Sequence, residues 1–288
     1  MTNTVTIGAD PELFVRNSRG RVIPMCGTLG GTKESPRALG QGFAVQEDNI
    51  MLEYNVPPAT DGYMFADYIS VGKERALAEV HSKTRNNSLR FSTNPEELIP
   101  KKTLEEHEGA STFGCSPEYD AYTQGEQAPT VAAHMLRSDD EDGSEWRFAG
   151  GHVHIGYNNP EIPAFVAASF CDLYLGLSAV NVDHQPHRRE LYGQAGRFRP
   201  TSYGIEYRVL SNFWVHERYL AEQVGENASM CGKFLSASSR KAKQHMRKIF
   251  PDIPWGDVKQ AIQQEDPYAA SSILQYCRDE LKISGLHG

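Results

Sequence analysis

Seven residues in this chain are of types that hold and neutralise cations: Asp10, Glu12, Glu47, Glu53, His152, His154 and Glu206. Each lies in a stretch with strand-like alternation, and side chains of equal parity share one face of a strand. Over residues 44–56, Glu47, Asn49, Met51, Glu53 and Asn55 fall on one face, with Ile50, Leu52, Tyr54 and Val56 on the other. His152 and His154 oppose Val153 and Ile155, and Glu206 with Arg208 opposes Tyr207 and Val209. Asp10 and Glu12 share parity against Leu13 and Val15. For any one such strand, a solvated sheet face is the ordinary reading. The combined set is less ordinary, because it holds carboxylates, imidazoles, amides and one arginine but no lysine. Clustered acids repel one another unless a cation compensates them. Oxygen ligands with an occasional imidazole suit Mg or Mn better than zinc or copper. The expectation is one polar, metal-binding sheet face.

Several elements must position these residues. Residues 5–15 read as a strand interrupted by the turn-like GADPE, with a hairpin return over 21–25. Residues 44–56 read as one long strand, stopped by Pro57-Pro58, and 147–157 and 206–214 as two more. Helical spacing runs over 61–84, an apolar helix over 161–182, and further helices over 217–224, 233–248, 256–264 and 268–282. Residues 26–42 and 183–204 read as loops, and the acidic stretches 105–110 and 138–145 as exposed ones. The βαβα rhythm of a parallel sheet is absent. This order predicts an α+β fold, with an antiparallel sheet and helices on its nonpolar face. The chain reads as a single domain over 1–288, with 216–288 a helical C-terminal part.

Bulk composition narrows the function. Of 288 residues, 39% are hydrophobic and 23% charged, which is globular. The net charge of −8, and a reading that finds no Lys/Arg run, argue against nucleic acid and membrane partners. The longest apolar stretch, 163–182, contains Ser169, Asp172, Ser178 and Asn181, so a core helix is expected rather than a membrane span. Five dispersed cysteines without a CxxC pair fit a reduced cytoplasm, and no signal-peptide pattern opens the sequence.

Four motifs carry a resemblance: GADPELFV at 8–15, VQEDNIMLEYNVPPA at 45–59, GGHVHIG at 150–156 and SYGIEYRVLSNFW at 202–214. In content and order they resemble the phage-associated COOH–NH2 ligases of type 2, amidoligases related to glutamine synthetase and glutamate–cysteine ligases. The resemblance implies a glutamine synthetase-like catalytic fold with a curved antiparallel sheet. It also implies ATP- and Mg-dependent amide formation, in which ATP phosphorylates a carboxylate and an amine displaces the phosphate. By that resemblance Glu12, Asp10, Glu47, Glu53, His152 and Glu206 hold metal, with Asp10 shorter than the Glu of many relatives. Arg208 and His154 reach the nucleotide or its metal, and Glu53 and Arg208 belong to the catalytic set, to which the position of Arg199 close to the YGIEYR strand adds a binder of phosphate or substrate carboxylate. The substrates would be small-molecule or peptide carboxylates and amines.

The chemistry asks for these types independently, since phosphoryl transfer is mainly positioning and charge neutralisation by Mg and planar Arg donors. A reactive acyl phosphate also needs shielding from water, for which loops 26–42 and 183–204 are candidates. The first holds Lys33 in GTLGGTK, a cation for phosphate, although the string is not a Walker motif. The second holds Arg188, Arg189, Arg197 and Arg199, of which Arg199 lies nearest the YGIEYR strand. His184 and His187 read as structural or exposed, and Glu118 is marked only by the echo of GADPE in GCSPE. Two other functions fit the same residues: a metal-dependent amide hydrolase needing no ATP, and a non-catalytic nucleotide- or metal-binding protein.

Overall fold

The computed structural model describes residues 5–107, 109, 118–128, 137, 143–157, 159, 161–237 and 239–287. Strands β1 (Thr6–Ala9), β2 (Glu12–Leu13) and β3 (Val15–Arg16) come first, then β4 (Arg37–Gly40), β5 (Phe43–Asp48) and β6 (Met51–Asn55). Helix α1 (Gly62–Thr84) precedes β7 (Arg90–Phe91), β8 (Glu96–Ile99) and α2 (Lys101–Glu106). Next are β9 (Tyr119–Asp120), β10 (Glu126–Gln127), β11 (Glu145–Phe148) and β12 (Val153–Gly156). Helix α3 (Ala164–Cys171) runs through a π-helical segment, Asp172–Gly176, into α4 (Leu177–Ala179). After α5 (Pro186–Leu191), β13 (Arg197–Pro200) and β14 (Gly204–Tyr207), the chain ends in α6 (Arg218–Leu235), α7 (Arg240–Ile249), α8 (Trp255–Gln263) and α9 (Pro267–Asp279).

The result is a mixed α+β architecture with antiparallel sheets. A six-stranded sheet has the order β1-β12-β14-β13-β9-β10, and a four-stranded sheet the order β2-β6-β5-β4. The two are stitched at Pro11, whose ring nitrogen cannot donate to a ladder. Around it Tyr54 N donates to Pro11 O, Val56 N to Ala9 O and Glu12 N to Gly150 O. The bend therefore costs few backbone hydrogen bonds and carries the chain from one sheet into the next.

Register explains the two faces of the six-stranded sheet. Gly8, His154, Glu206 and Arg199 form one cross-strand row, flanked by the rows Ile7–Ile155–Ile205 and Ala9–Val153–Tyr207–Phe198. The flanking rows point the other way and are buried, apart from what backbone they share with the polar face. Helices α3 and α6 pack on that apolar side. Each fully buried Ile, Leu or Phe there contributes about 1.5–3 kcal/mol. Helix α1 starts at Asp61, whose carboxylate accepts from Met64 N at 2.8 Å, and lays Phe65, Ile69, Ala76 and Val80 against the core.

Several sequence expectations change. The strand expected over 206–214 ends at Tyr207, and Asn212–Val215 is a 3-10 helix; the helix expected over 233–248 falls across the end of α6 and most of α7. Residues 44–56 are not one strand but the hairpin β5–β6, turning at Asn49-Ile50 with Asn49 in the left-handed region at φ 54°. The 183–204 loop contains α5 and β13, and Arg188 and Arg189 within it are fully buried. Helix α7 gathers Arg240, Lys241, Lys243, Arg247 and Lys248, a cationic run that the acidic net charge conceals. The acidic loop expected at 138–145 lies outside the described residues as far as 142, as does GCSPE before Glu118. Among the described residues no helix is long and apolar enough to cross a membrane.

Candidate functional site

The polar faces of both sheets meet beside His152. Its Nδ1 lies 3.6 Å from Asp10 Oδ1 and 3.8 Å from Glu206 Oε1, and its Nε2 lies 4.0 Å from Glu12 Oε1. Gly150 makes room for this ring, because a Cβ built there would collide with three of its atoms. The same glycine's N–H donates to Glu12 Oε2 at 2.6 Å, so one tight passage of backbone orients both an acid and a histidine.

Two groups of potential ligand atoms flank His152. Asp10, His154 and Glu206 form one, and Glu12, Asp48 and Glu53 the other, each with its atoms within 4.8 Å of one another. In the first, His154 Nε2 lies 3.1 Å from Asp10 Oδ1, and its Nδ1 lies 2.6 Å from the Tyr203 hydroxyl. Burial opposes charge on both partners, yet their attraction wins: Asp10 is held well below the usual carboxylate range and His154 is raised. Glu206 is lowered against its burial by the Arg208 guanidinium. Apart from the His152 and His154 imidazoles, no partner is found for the buried Asp10 Oδ1 among the described residues.

The second group behaves oppositely. Burial, and then the charge of Glu12, push Asp48 up to about 7. Burial followed by Asp10, Asp48 and Glu12 pushes Glu53 well above its ordinary value, although Gln46 Nε2 donates to Glu53 Oε1 at 2.9 Å. Lys33 opposes both shifts, which places its charge beside this group.

Arginines line the other end. Arg199 Nη1 donates to Glu206 Oε2 at 2.9 Å, and Arg208 pairs with both Glu206 and Glu118, its Nε donating to Glu118 Oε1 at 2.9 Å. Arg197 stands next in line, 5% exposed, with Nε 4.0 Å from Glu118 Oε2. Its Nη2 donates to Gln194 Oε1, while Nε and Nη1 make no hydrogen bond.

The structure thus brings together Asp10, Glu12, Glu53, His152, His154, Glu206, Arg199, Arg208 and Lys33. Glu47 is the correction. It pairs with Leu52 on the opposite face, where its carboxylate accepts the N–H groups of Gly27, Leu29 and Gly30, each at 2.7 Å. Its work is to fix the start of the 26–42 loop. Equal parity does not mean one face here, because the β5–β6 turn exchanges odd for even, and Asp48 stands where Glu47 was expected. Gln46 and Asp48 join the site through the Asn49-Ile50 turn, whose sequence signal is the asparagine that tolerates a left-handed backbone. Glu118 enters through Arg208, and Arg197 through burial that the loop reading missed. His187 instead reaches Glu96 at 3.0 Å, away from this set.

No curated protein matches the chain. Residues 144–249 match the family model described as Phage phiEco32-like COOH.NH2 ligase-type 2. That span carries His152, His154, Arg197, Arg199, Glu206 and Arg208, and so covers one side of the site. Over residues 144–249 the chain is thus similar to the COOH–NH2 ligase type 2 family, and that span holds two of the four sequence motifs, GGHVHIG and SYGIEYRVLSNFW.

Proposed function

We propose that this face is the metal and nucleotide floor of an ATP-dependent carboxylate–amine ligase with a glutamine synthetase-like catalytic fold. The observation that carries the reading is the pairing of two carboxylate-rich groups, Asp10/His154/Glu206 and Glu12/Asp48/Glu53, with the guanidinium of Arg208 at their edge. The residues fit Mg or Mn. Asp10 Oδ1 is a buried oxygen whose near partners are the ring nitrogens of His152 and His154, and three acids, of which Glu53 is buried and Glu12 and Asp48 half-buried, sit within 4.8 Å of one another at a cost that a cation would offset. Asp10, Glu206 and His154 would hold one ion and Glu12, Glu53 and Asp48 another. When bound with ATP, such ions supply charge neutralisation on the phosphates.

The chain's own residues do the rest. Arg208 and Arg199 present planar donors to phosphate or carboxylate oxygens, exchanging their contacts with Glu206 and Glu118 for the ligand. Lys33 adds a cation from the loop that Glu47 anchors, and closure of that loop over a bound acyl phosphate would keep water from it. The reaction proposed is phosphorylation of a substrate carboxylate by ATP, followed by attack of an amine on the acyl phosphate with loss of inorganic phosphate. The substrates are small-molecule or peptide carboxylates and amines.

The test is Mg-dependent release of phosphate from ATP, driven by pools of amino acids, amines and peptides. Turnover should require both a carboxylate and an amine, and should vanish in Glu53→Gln and Arg208→Ala. Undiminished turnover in those variants, or amide hydrolysis without ATP, would overturn the reading.

A further inference from the structure

On the helical side of the molecule, α7 borders a cavity that the proposed reaction does not use. Its volume is about 260 Å³, and Ile162, Pro163, Val166, Met246, Phe250 and Pro251 form its apolar lining. Arg240, Lys243 and Arg247 fall three and four residues apart, on one face of α7, and line a polar hollow that adjoins the cavity. No acid occurs in α7. At the rim Glu161 Oε2 accepts from Lys243 Nζ at 2.7 Å, while Arg240 and Arg247 have no ion pair among the described residues.

We infer that this cavity and the cationic lip of α7 form a docking site for an acidic peptide segment that carries a bulky apolar anchor. The cavity is larger than the roughly 150 Å³ that holds a benzene-sized group, so it admits a Leu or Phe anchor. Arg240 to Arg247 spans about 10 Å of helix, and an extended peptide advances about 3.3 Å per residue. Carboxylates two or three residues apart therefore match the lip. Glu161 already occupies it as the ligand's carboxylate would, and competes for Lys243.

Other occupants fit less well. Met246 and Ile249, the apolar positions of α7, are buried in the core, so the helix has no apolar face to lay on a bilayer. Phe250 is held edge-on to Phe170 and tilted against Trp255, and offers no free ring for stacking nucleobases. The inference stands apart from the ligase reading, since it uses none of the same residues.

The probe is a fluorescein-labelled peptide, Glu-Glu-Leu-Phe-Glu-Glu, with binding to the full chain followed by anisotropy. Saturable binding is expected below about 1 mM, weakening as salt rises from about 50 to about 300 mM. Combined Lys243→Glu and Arg247→Glu should weaken it by at least about tenfold. Val166→Trp, which fills the cavity, should do the same, and replacing the peptide's Leu-Phe by Ser-Ser tests the anchor without touching the fold. Glu161→Gln should tighten binding, because Lys243 loses its internal competitor. No saturable binding, weaker binding by Glu161→Gln, or tighter binding of a single-stranded oligonucleotide or of phosphatidylglycerol vesicles would overturn the inference.

Discussion

Asp48 and Glu53 are an odd five residues apart, yet their carboxylate oxygens lie within 4.8 Å of each other, together with one from Glu12. The two-residue turn between β5 and β6 sets Gln46 opposite Glu53 and Asp48 opposite Met51, so even positions before the turn share a face with odd positions after it. Glu47 and Asp48, neighbours in sequence, consequently have unrelated tasks.

The first prediction separates those tasks. Asp48→Asn should weaken Mg or Mn binding at least about tenfold, as removal of a charged ligand implies. Glu47→Ala should leave metal titration unchanged, but lower stability by about 2–3 kcal/mol, because three N–H groups lose a charged acceptor. Calorimetric metal titration and thermal denaturation of both variants check this, and reversed outcomes would return Glu47 to the site.

A pH dependence follows from the same pair. Asp48 is raised from its ordinary 3.8 to about 7, by burial and then by Glu12. A carboxyl whose folded value is raised contributes stability that is full below its unfolded value and is lost as pH rises through the folded one. Metal-free protein should therefore lose stability from about pH 4 to about pH 7 relative to Asp48→Asn, and added Mg should restore it. Melting curves with chelator and with Mg decide the point. A wild-type minus variant difference that is flat in pH would refute the assignment.

Gly150 sets the geometry of His152. A Cβ there meets the imidazole ring, so Gly150→Ala should displace it and also disturb the Glu12 carboxylate that the Gly150 N–H holds. The expected cost is about 1–3 kcal/mol of stability, as in other overpacked sites, with loss of ATP turnover. Wild-type turnover in this variant would place His152 outside the reaction.

Arg197 is the residue with most to gain from an anion. Its Nε and Nη1 are buried without acceptors, although Glu118 lies close. Arg197→Gln should weaken pyrophosphate or ATP binding about tenfold, the scale of one charge-assisted contact, and leave Mg titration of the nucleotide-free protein unchanged. Isothermal titration of each ligand separately distinguishes this from a general loss of the fold.

A buried network beneath the site offers a structural control. Asp172, in the π-helical segment, accepts from Tyr207 at 2.6 Å and Tyr122 at 2.8 Å, and burial raises it to about 6. Tyr207→Phe removes one donor and should cost about 1–3 kcal/mol in thermal unfolding, with Mg binding retained. Loss of metal binding would show that Tyr207 shapes the opposite face of β14 as well.

Much of this was legible in the sequence because alternation along a strand is local physics. His152 and His154 against Val153 and Ile155, Glu206 against Tyr207, and the helical spacing of α1 depend on neighbours a few residues away, and the α+β class follows from their order. The sequence alone therefore determined which residue types face a sheet surface and which face the core. What it did not determine was anything that crosses a turn or joins distant strands. The β5–β6 turn exchanged Glu47 for Asp48. Burial within the 183–204 segment made Arg188 and Arg189 structural: Arg189 pairs with Asp183 at 3.0 Å, and Arg188 donates to the backbone carbonyls of Arg208 and Val209. Only the tertiary structure brought Glu12, from the first strands, within reach of Asp48 and of His152. Only there does mutual repulsion among these clustered acids arise, because like charges raise one another's proton affinity through space and not along the chain.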